Sequence, residues 1–300
     1  MFDRVVLTRD LVDARGAVLG KRGAVVSVSG VQDAARRAPA VARRPLSETS
    51  TAEDLHLPLA DPAYRHLFRG AGVQAAVARA LLALRLPQAI FDELHALKIS
   101  DPARYRHALS TAAVTARLLI AAAGEAPALP DMAAAGLLHD LGMRHVSFHL
   151  ARNGEPLGQA EMMEVAAHPL LGGLHLAQLL GLHPAVDAAL SHHWRGGYGY
   201  PSLPHTPSRA VEVVGIASAF AALTQARAFR SEPFDARGAA DVLIAEATAG
   251  HADVNTVRLL VHALRGATGE VRHTRFGRER LGHVPAVNRH TVITMLQGAV

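Results

Sequence analysis

The stretch Ala133-Ala-Ala-Gly-Leu-Leu-His-Asp-Leu-Gly142 places a histidine and an aspartate at the end of an apolar run. A second doublet, His192-His193, stands just ahead of Gly196-Gly-Tyr-Gly-Tyr-Pro201. Burying imidazole and carboxylate groups among leucines and alanines costs several kcal/mol unless a metal or hydrogen bonds satisfy them. Imidazoles and carboxylates are also ligands that iron, manganese and zinc accept in proteins. The two doublets therefore predict a buried metal centre.

The composition around these doublets favours a mainly α fold. Half of the 300 residues are hydrophobic and only 4% are aromatic. Much of the apolar fraction is alanine and leucine, which favour helices over strands. Helical patterns predict one main domain over residues 61–265, preceded by short valine-rich runs broken by glycine. These runs predict a small β-containing unit within residues 1–60, and residues 266–300 are expected to form a mixed C-terminal tail.

The helical pattern also predicts where the doublets lie. Pro102 to Ala123 reads as one helix, Pro130 to about His139 as another, and Gly158 to Leu180 as a third. Adjacent helical residues point about 100° apart, so both members of a doublet reach one metal only near a helix end. His139-Asp140 meets this condition if Gly142 is the C-terminal cap of its helix.

Charge and composition exclude several classes of protein. The absence of cysteine rules out disulfides, thiolate metal sites and cysteine nucleophiles, and fits a cytoplasmic protein. The net charge of +5 suits a phosphate-bearing ligand. Scattered basic residues without interleaved aromatics predict no nucleic-acid binding. The apolar stretch from Val213 to Leu223 is shorter than the ~18 residues of a membrane span, so no membrane association is expected.

The eighteen histidines fall into two groups. His107 and His168 stand with the two doublets because each occurs once per predicted helix or helix end. A helical bundle brings such positions together in its interior, where metal sites are built. The other histidines have no partner at a convincing spacing, and most of them are expected at the surface or at the edge of the core.

These residues belong to a series of short motifs in a definite order. The series is His107, His139-Asp140-Leu-Gly142, His168-Pro169, His192-His193, Gly199-Tyr200-Pro201 and Thr224-Gln-Ala-Arg227-Ala-Phe-Arg230. It resembles the HD-GYP group of the HD superfamily of metal-dependent phosphohydrolases over residues 103–262. The resemblance implies an HD-type helical bundle around a metal centre.

The resemblance also implies a function and a set of site residues. It implies hydrolysis of cyclic di-GMP to pGpG or GMP with one or two divalent ions, iron or manganese. His139 and Asp140 would be catalytic, with Asp140 bridging two metals. Tyr200 and Pro201 would shape the loop beside the substrate, and Arg227 would face a phosphate or a guanine edge. The implied metal ligands are His107, His139, Asp140, His168, His192 and His193.

The sequence departs from the family pattern at three positions. Met143 replaces a lysine after the first doublet, and Trp194 replaces a glutamate after the second. Ser218 stands where the family has an aspartate, and a serine hydroxyl is a poor ligand beside a carboxylate. Arg144 could replace the lysine only if it turned toward the site. The set of Asp140 with three histidines stays complete, whereas the second metal is expected to bind more weakly.

Three functions remain open on these grounds. The first is a cyclic di-GMP phosphodiesterase working with one or two metals. The second is a catalytically impaired signalling domain that binds cyclic di-GMP or a protein partner, which Met143, Trp194 and Ser218 favour. The third is a phosphohydrolase acting on another nucleotide or phosphoester. The sequence leaves a homodimer open as well.

Overall fold

A computed structural model of the chain describes residues 3–147, 157–194, 199–227, 230–277, 279 and 281–286. Helices dominate this part of the chain, so the prediction of a mainly α fold is confirmed. No helix in these ranges is both long and apolar enough to cross a membrane. The α-helices are α1 (Val28–Arg37), α2 (His56–Ala60), α3 (Ala71–Leu82), α4 (Gln88–Ser100), α5 (Pro102–Ala123), α6 (Leu129–Leu138), α7 (Gln159–Ala166), α8 (His168–Leu180), α9 (Pro184–Ser191), α10 (Arg209–Thr224), α11 (Ala236–Thr248) and α12 (Val254–Leu264).

The strands are short and form three antiparallel pairs. The pairs are β1 (Arg4–Val6) with β4 (Val25–Ser27), β2 (Leu11–Val12) with β3 (Val18–Gly20), and β5 (Arg44–Pro45) with β6 (Arg85–Leu86). In the first pair Val5 stands opposite Val26. In sequence, β2 and β3 lie between β1 and β4. These four short strands confirm the β-containing unit expected near the N-terminus.

Close packing of α5 against α6 sets the position of the first predicted ligands. A Cβ atom at Gly136 would lie 2.8 Å from Oγ1 of Thr115 and 3.0 Å from Cα of Ala112. Only a residue without a side chain allows the two helices to approach this closely. The approach places His107 on α5 beside His139 at the end of α6, with 5.3 Å between their ring centroids.

The N-terminal unit packs directly on α8. A Cβ atom at Gly173 of α8 would lie 3.2 Å from Cγ1 of Val31 on α1. The side-chain amide of Gln178 donates a 2.6 Å hydrogen bond to the backbone carbonyl of Leu19. One hydrophobic core cluster includes residues of both parts. The domain boundaries near residues 60 and 265 stay predictions.

The prediction of one continuous helix from Gly158 to Leu180 is wrong. The structure has α7 and α8 in this stretch, with Ala167 between them. Pro169 lies in the first turn of α8, where its missing N–H group is not needed and its ring favours the start of a helix. The break makes His168 the first residue of α8, so its side chain stands at a helix end.

The prediction that Gly142 caps α6 is also wrong. The helix ends at Leu138, and Gly142 lies in a short 3-10 turn, Leu141–His145, outside the positive-φ region that a glycine cap adopts. A Cβ atom at Gly142 would lie 2.0 Å from the carbonyl oxygen of His168 and 2.6 Å from the backbone nitrogen of Gly172. Glycine is required because this turn touches the backbone of α8.

Candidate metal centre

The six predicted ligand residues come together at the ends of three helices and on the side of a fourth. His139 follows α6 and precedes Asp140, His168 begins α8, and His192-His193 follow α9. His107 lies within α5 and completes the group. The fully buried members, His107, His139, His168 and His192, are each no more than 3% exposed. The helix ends thus place imidazoles from separate parts of the chain in one buried space.

Three histidines form the first candidate ligand group. Ligand atoms of His168, His192 and His193 all lie within 4.8 Å of one another. The Nε2 atoms of His168 and His192 are 3.1 Å apart. Oδ1 of Asp140 lies 3.3 Å from Nε2 of His168. This is a set of three imidazoles with a carboxylate beside them.

Backbone carbonyls fix the proton on the outer nitrogen of two of these rings. His168 Nδ1 donates a 2.7 Å hydrogen bond to the carbonyl of Val165. His192 Nδ1 lies 3.0 Å from the carbonyl of Ala189. A carbonyl oxygen can only accept, so the neutral rings keep their Nε2 lone pairs for the site. Two facing lone pairs 3.1 Å apart could both be accepted by one divalent metal ion.

Electrostatics favour the protonation states that bind metal. Burial lowers the pKa of His168 and His139, and it places the pKa of His192 well below its usual value. Burial by itself would raise the pKa of Asp140, but the surrounding His168 and Arg104 outweigh it, and the net pKa is lowered. Neutral imidazoles beside an ionised carboxylate are the form in which these side chains ligate.

The second candidate group is His107, His139 and Asp140, whose ligand atoms also lie within 4.8 Å of one another. Ser218 on α10 adds its hydroxyl, 2.9 Å from Nε2 of His139 and 3.4 Å from Nε2 of His107. His139 Nδ1 donates to the carbonyl of Gly136 at 2.8 Å, so its Nε2 accepts from Ser218. The Ser218 hydroxyl therefore hydrogen-bonds Nε2 of His139, the ring nitrogen that faces this second group.

The predicted substrate-side residues also lie at this centre. Tyr200 is buried and stacks on His193, with ring centroids 4.6 Å apart and an angle of 19° between the ring planes. Arg227 follows α10, and its backbone pairs with Arg230. The charge of Arg227 lowers the pKa of His107, behind burial as the main cause. Pro201 is buried next to Tyr200.

Arg144 follows Met143 and pairs with a buried carboxylate. Its guanidinium pairs with Glu93, a carboxylate only 1% exposed, on α4. Met143 and Arg144 both border a cavity of about 220 Å³, which Glu93, Asp101 and Arg104 also line.

Arg104 is the site residue that the sequence reasoning missed. Its Nε lies 3.9 Å from Oδ2 of Asp140, and its side chain is 11% exposed. Arg104 stands three residues before His107, and residues three apart share one face of a helix. The spacing of three residues from His107 is therefore the sequence signal that could have identified Arg104.

Several other histidines are buried rather than at the surface. His175 is fully buried, with its Nδ1 atom 3.0 Å from Nε2 of His145 and its Nε2 atom 3.2 Å from Oε1 of Glu93. His183 and His262 are buried as well. The other described members of this group are exposed or half-buried, as expected for most of them.

No protein-family model and no curated protein matches this chain. Among solved structures it is similar to an HDG"Y"P protein from Bdellovibrio bacteriovorus, with a TM-score of 0.47 and 15% identity over 74% of this chain and 71% of that one. It is also similar to the HD domain of the L. monocytogenes phosphodiesterase PgpH in complex with cyclic-di-AMP, with a TM-score of 0.45 and 15% identity over 62% of this chain and 99% of that one.

Proposed function

We propose that the protein is a metal-dependent phosphodiesterase that hydrolyses a cyclic dinucleotide, cyclic di-GMP, to pGpG or GMP. The observation that carries the proposal is the 3.1 Å separation of the His168 and His192 Nε2 atoms, with Asp140 3.3 Å from the first of them. Such a set fits iron or manganese, which accept mixed nitrogen and oxygen ligands.

The residues divide into those that would hold a metal and those that would hold substrate. Asp140, His168, His192 and His193 would hold the first ion. A divalent ion at such a site supplies Lewis acidity toward a phosphate oxygen and toward water. Asp140 is ionised and would orient that water as well as bind. Tyr200 stacks on His193 and keeps its ring from turning, while Arg227 would pair with a phosphate oxygen.

The second ion would bind more weakly than the first. His107 and His139 share Ser218 as their neighbour on α10. A neutral hydroxyl contributes less than a carboxylate because carboxylate charge offsets the repulsion between two dications. We therefore expect about one tightly held ion per chain and slow hydrolysis.

The choice of substrate rests on the motif order. The HD-GYP resemblance favours cyclic di-GMP. The PgpH HD domain was solved with cyclic-di-AMP, so both dinucleotides belong in the assay, together with a panel of other nucleotides. Cytoplasmic location and homodimer formation stay predictions.

The first experiment is the metal content of the protein purified anaerobically and reconstituted with iron or manganese. Wild-type protein should hold at least one ion per chain, and His168→Ala should hold markedly less. Exposed His95 supplies the matched control, His95→Gln, which should keep the ion. Hydrolysis of cyclic di-GMP by the loaded protein then tests the activity. A wild-type protein that takes up no metal would sink the proposal.

A second candidate is a non-catalytic domain that binds cyclic di-GMP. The observation that favours it is the Ser218 hydroxyl, which already satisfies Nε2 of His139 at 2.9 Å. Metal-loaded protein that binds cyclic di-GMP stoichiometrically in a calorimeter, yet forms no linear product, would establish this candidate over the first.

A further inference from the structure

Two guanidinium groups act on Asp140 from different elements. Arg104, in the first turn of α5, places its Nε 3.9 Å from Oδ2 of Asp140 and its Nη2 3.7 Å from Oδ2 of Asp101. Arg227, after α10, interacts electrostatically with the same carboxylate. Positive charge from two elements therefore acts on Asp140 before any metal binds.

The Arg104 guanidinium has donors to spare. Both of its ion-pair distances exceed the range of about 2.7–3.2 Å for an N–H···O hydrogen bond. In the described part of the chain, no hydrogen bond from this guanidinium is found. An arginine presents five N–H donors in a rigid fork that matches the oxygens of a phosphate. Asp140 and Asp101 thus hold the group near the site without saturating it.

Arg104 also borders a cavity beside Met143, the residue that stands where the family has a lysine. It lines the cavity of about 220 Å³ that Met143 lines. The two residues come from α5 and from the turn after Asp140, so they approach one space from different elements. Arg144 and Glu93 also line this cavity and pair with each other, whereas the Arg104 guanidinium makes no hydrogen bond to the described residues.

We propose that Arg104 binds a phosphate oxygen of the substrate beside Asp140. The proposal rests on the proposed function for its substrate class. The alternative is that Arg104 only positions Asp140, and the two roles differ in what they change. A phosphate-binding residue alters anion affinity, whereas a residue that positions Asp140 alters metal content.

The test is calorimetric titration of inorganic phosphate into wild-type protein and variants, each with and without bound manganese. Arg104→Gln should weaken phosphate binding by about tenfold or more, since a charge-assisted hydrogen bond is lost. Its manganese content should stay at the wild-type level. Arg106→Gln is the matched control, because Arg106 is an exposed arginine of the same helix turn. It should bind phosphate as wild type does.

The double variant Arg104→Gln, Met143→Lys adds a rescue. It should recover part of the phosphate affinity, because the new lysine enters the same cavity. Unchanged phosphate affinity in Arg104→Gln would overturn the proposal. Loss of manganese from Arg104→Gln, with no recovery of phosphate affinity in the double variant, would also overturn it. Failure of wild-type protein to hold metal or hydrolyse a dinucleotide would sink the proposed function instead, and the metal-free titrations would still decide the role of Arg104.

Discussion

The hydroxyl of Ser218 lies 2.9 Å from Nε2 of His139, the imidazole that ends α6. Nδ1 of the same ring donates to the carbonyl of Gly136, so both ring nitrogens are engaged. One hydrogen bond from a neutral hydroxyl thus stands where the HD-GYP resemblance implies a carboxylate. The relationship brings one residue of α10 into contact with a predicted metal ligand.

Ser218→Asp should therefore raise the manganese content from about one ion toward two per chain and speed hydrolysis. The added carboxylate supplies an anionic ligand and offsets repulsion between the ions. Ser218→Ala is the control, because it removes the hydrogen bond without adding a ligand. Metal analysis of the three proteins after identical reconstitution checks this. Equal ion content in Ser218→Asp and Ser218→Ala would contradict it.

Gly142→Ala should destabilise the protein by about 1–3 kcal/mol or more, the usual range for overpacking. The new Cβ would lie 2.0 Å from the carbonyl oxygen of His168, and this backbone cannot turn aside as a flexible side chain could. Gly72→Ala is the matched control, because nothing lies within 4 Å of its Cβ position in α3. Urea unfolding measures both. A Gly142→Ala protein as stable as Gly72→Ala would show that the turn moves freely away from α8.

Glu93→Gln should lower the free energy of unfolding by about 2 kcal/mol or more, because it leaves the Arg144 guanidinium without its charged partner. Glu93 is 1% exposed and also accepts a 2.5 Å hydrogen bond from the backbone nitrogen of Ala14 in the N-terminal unit. Glu125→Gln removes an exposed ion pair with Arg79 and should lower the free energy of unfolding by only about 0–1 kcal/mol. Chemical denaturation compares the two. Equal losses would mean that the buried pair contributes no more than a surface one.

The stability of the metal-free protein should fall as the pH drops below about 6.5, the ordinary histidine pKa. Burial lowers the pKa of His175 to about 3 and that of His145 to about 2. Each folded-state pKa is depressed, so the unfolded chain binds more protons in this window and stability is lost as pH falls.

His145→Gln should reduce this slope by up to about 1.4 kcal/mol per pH unit between pH 4 and 6. Glutamine keeps a side-chain donor and acceptor near His175 but does not titrate. His95→Gln, at an exposed ring, is the control. Urea unfolding across the pH range gives the slopes, and an unchanged slope in His145→Gln would refute the assignment.

Much of the fold can be predicted from local sequence patterns. The helix from Pro102 to Ala123 was predicted with the bounds the structure has, because Asp101 caps it and Pro102 suits its first turn. The break before His168 was missed, although Pro169 marks it, because the apolar pattern continues across Ala167. Hydrophobic periodicity alone does not separate one long helix from two that meet end to end.

The sequence by itself determined the helical composition, the order of the imidazole and carboxylate residues, and the absence of a carboxylate at Ser218. These follow from residue type and local spacing. Only the tertiary structure decided that Arg104 faces Asp140, that Arg144 turns away to Glu93, and that Gly142 touches Gly172. Each of those contacts joins residues that are distant in the chain, and its geometry depends on how whole helices pack.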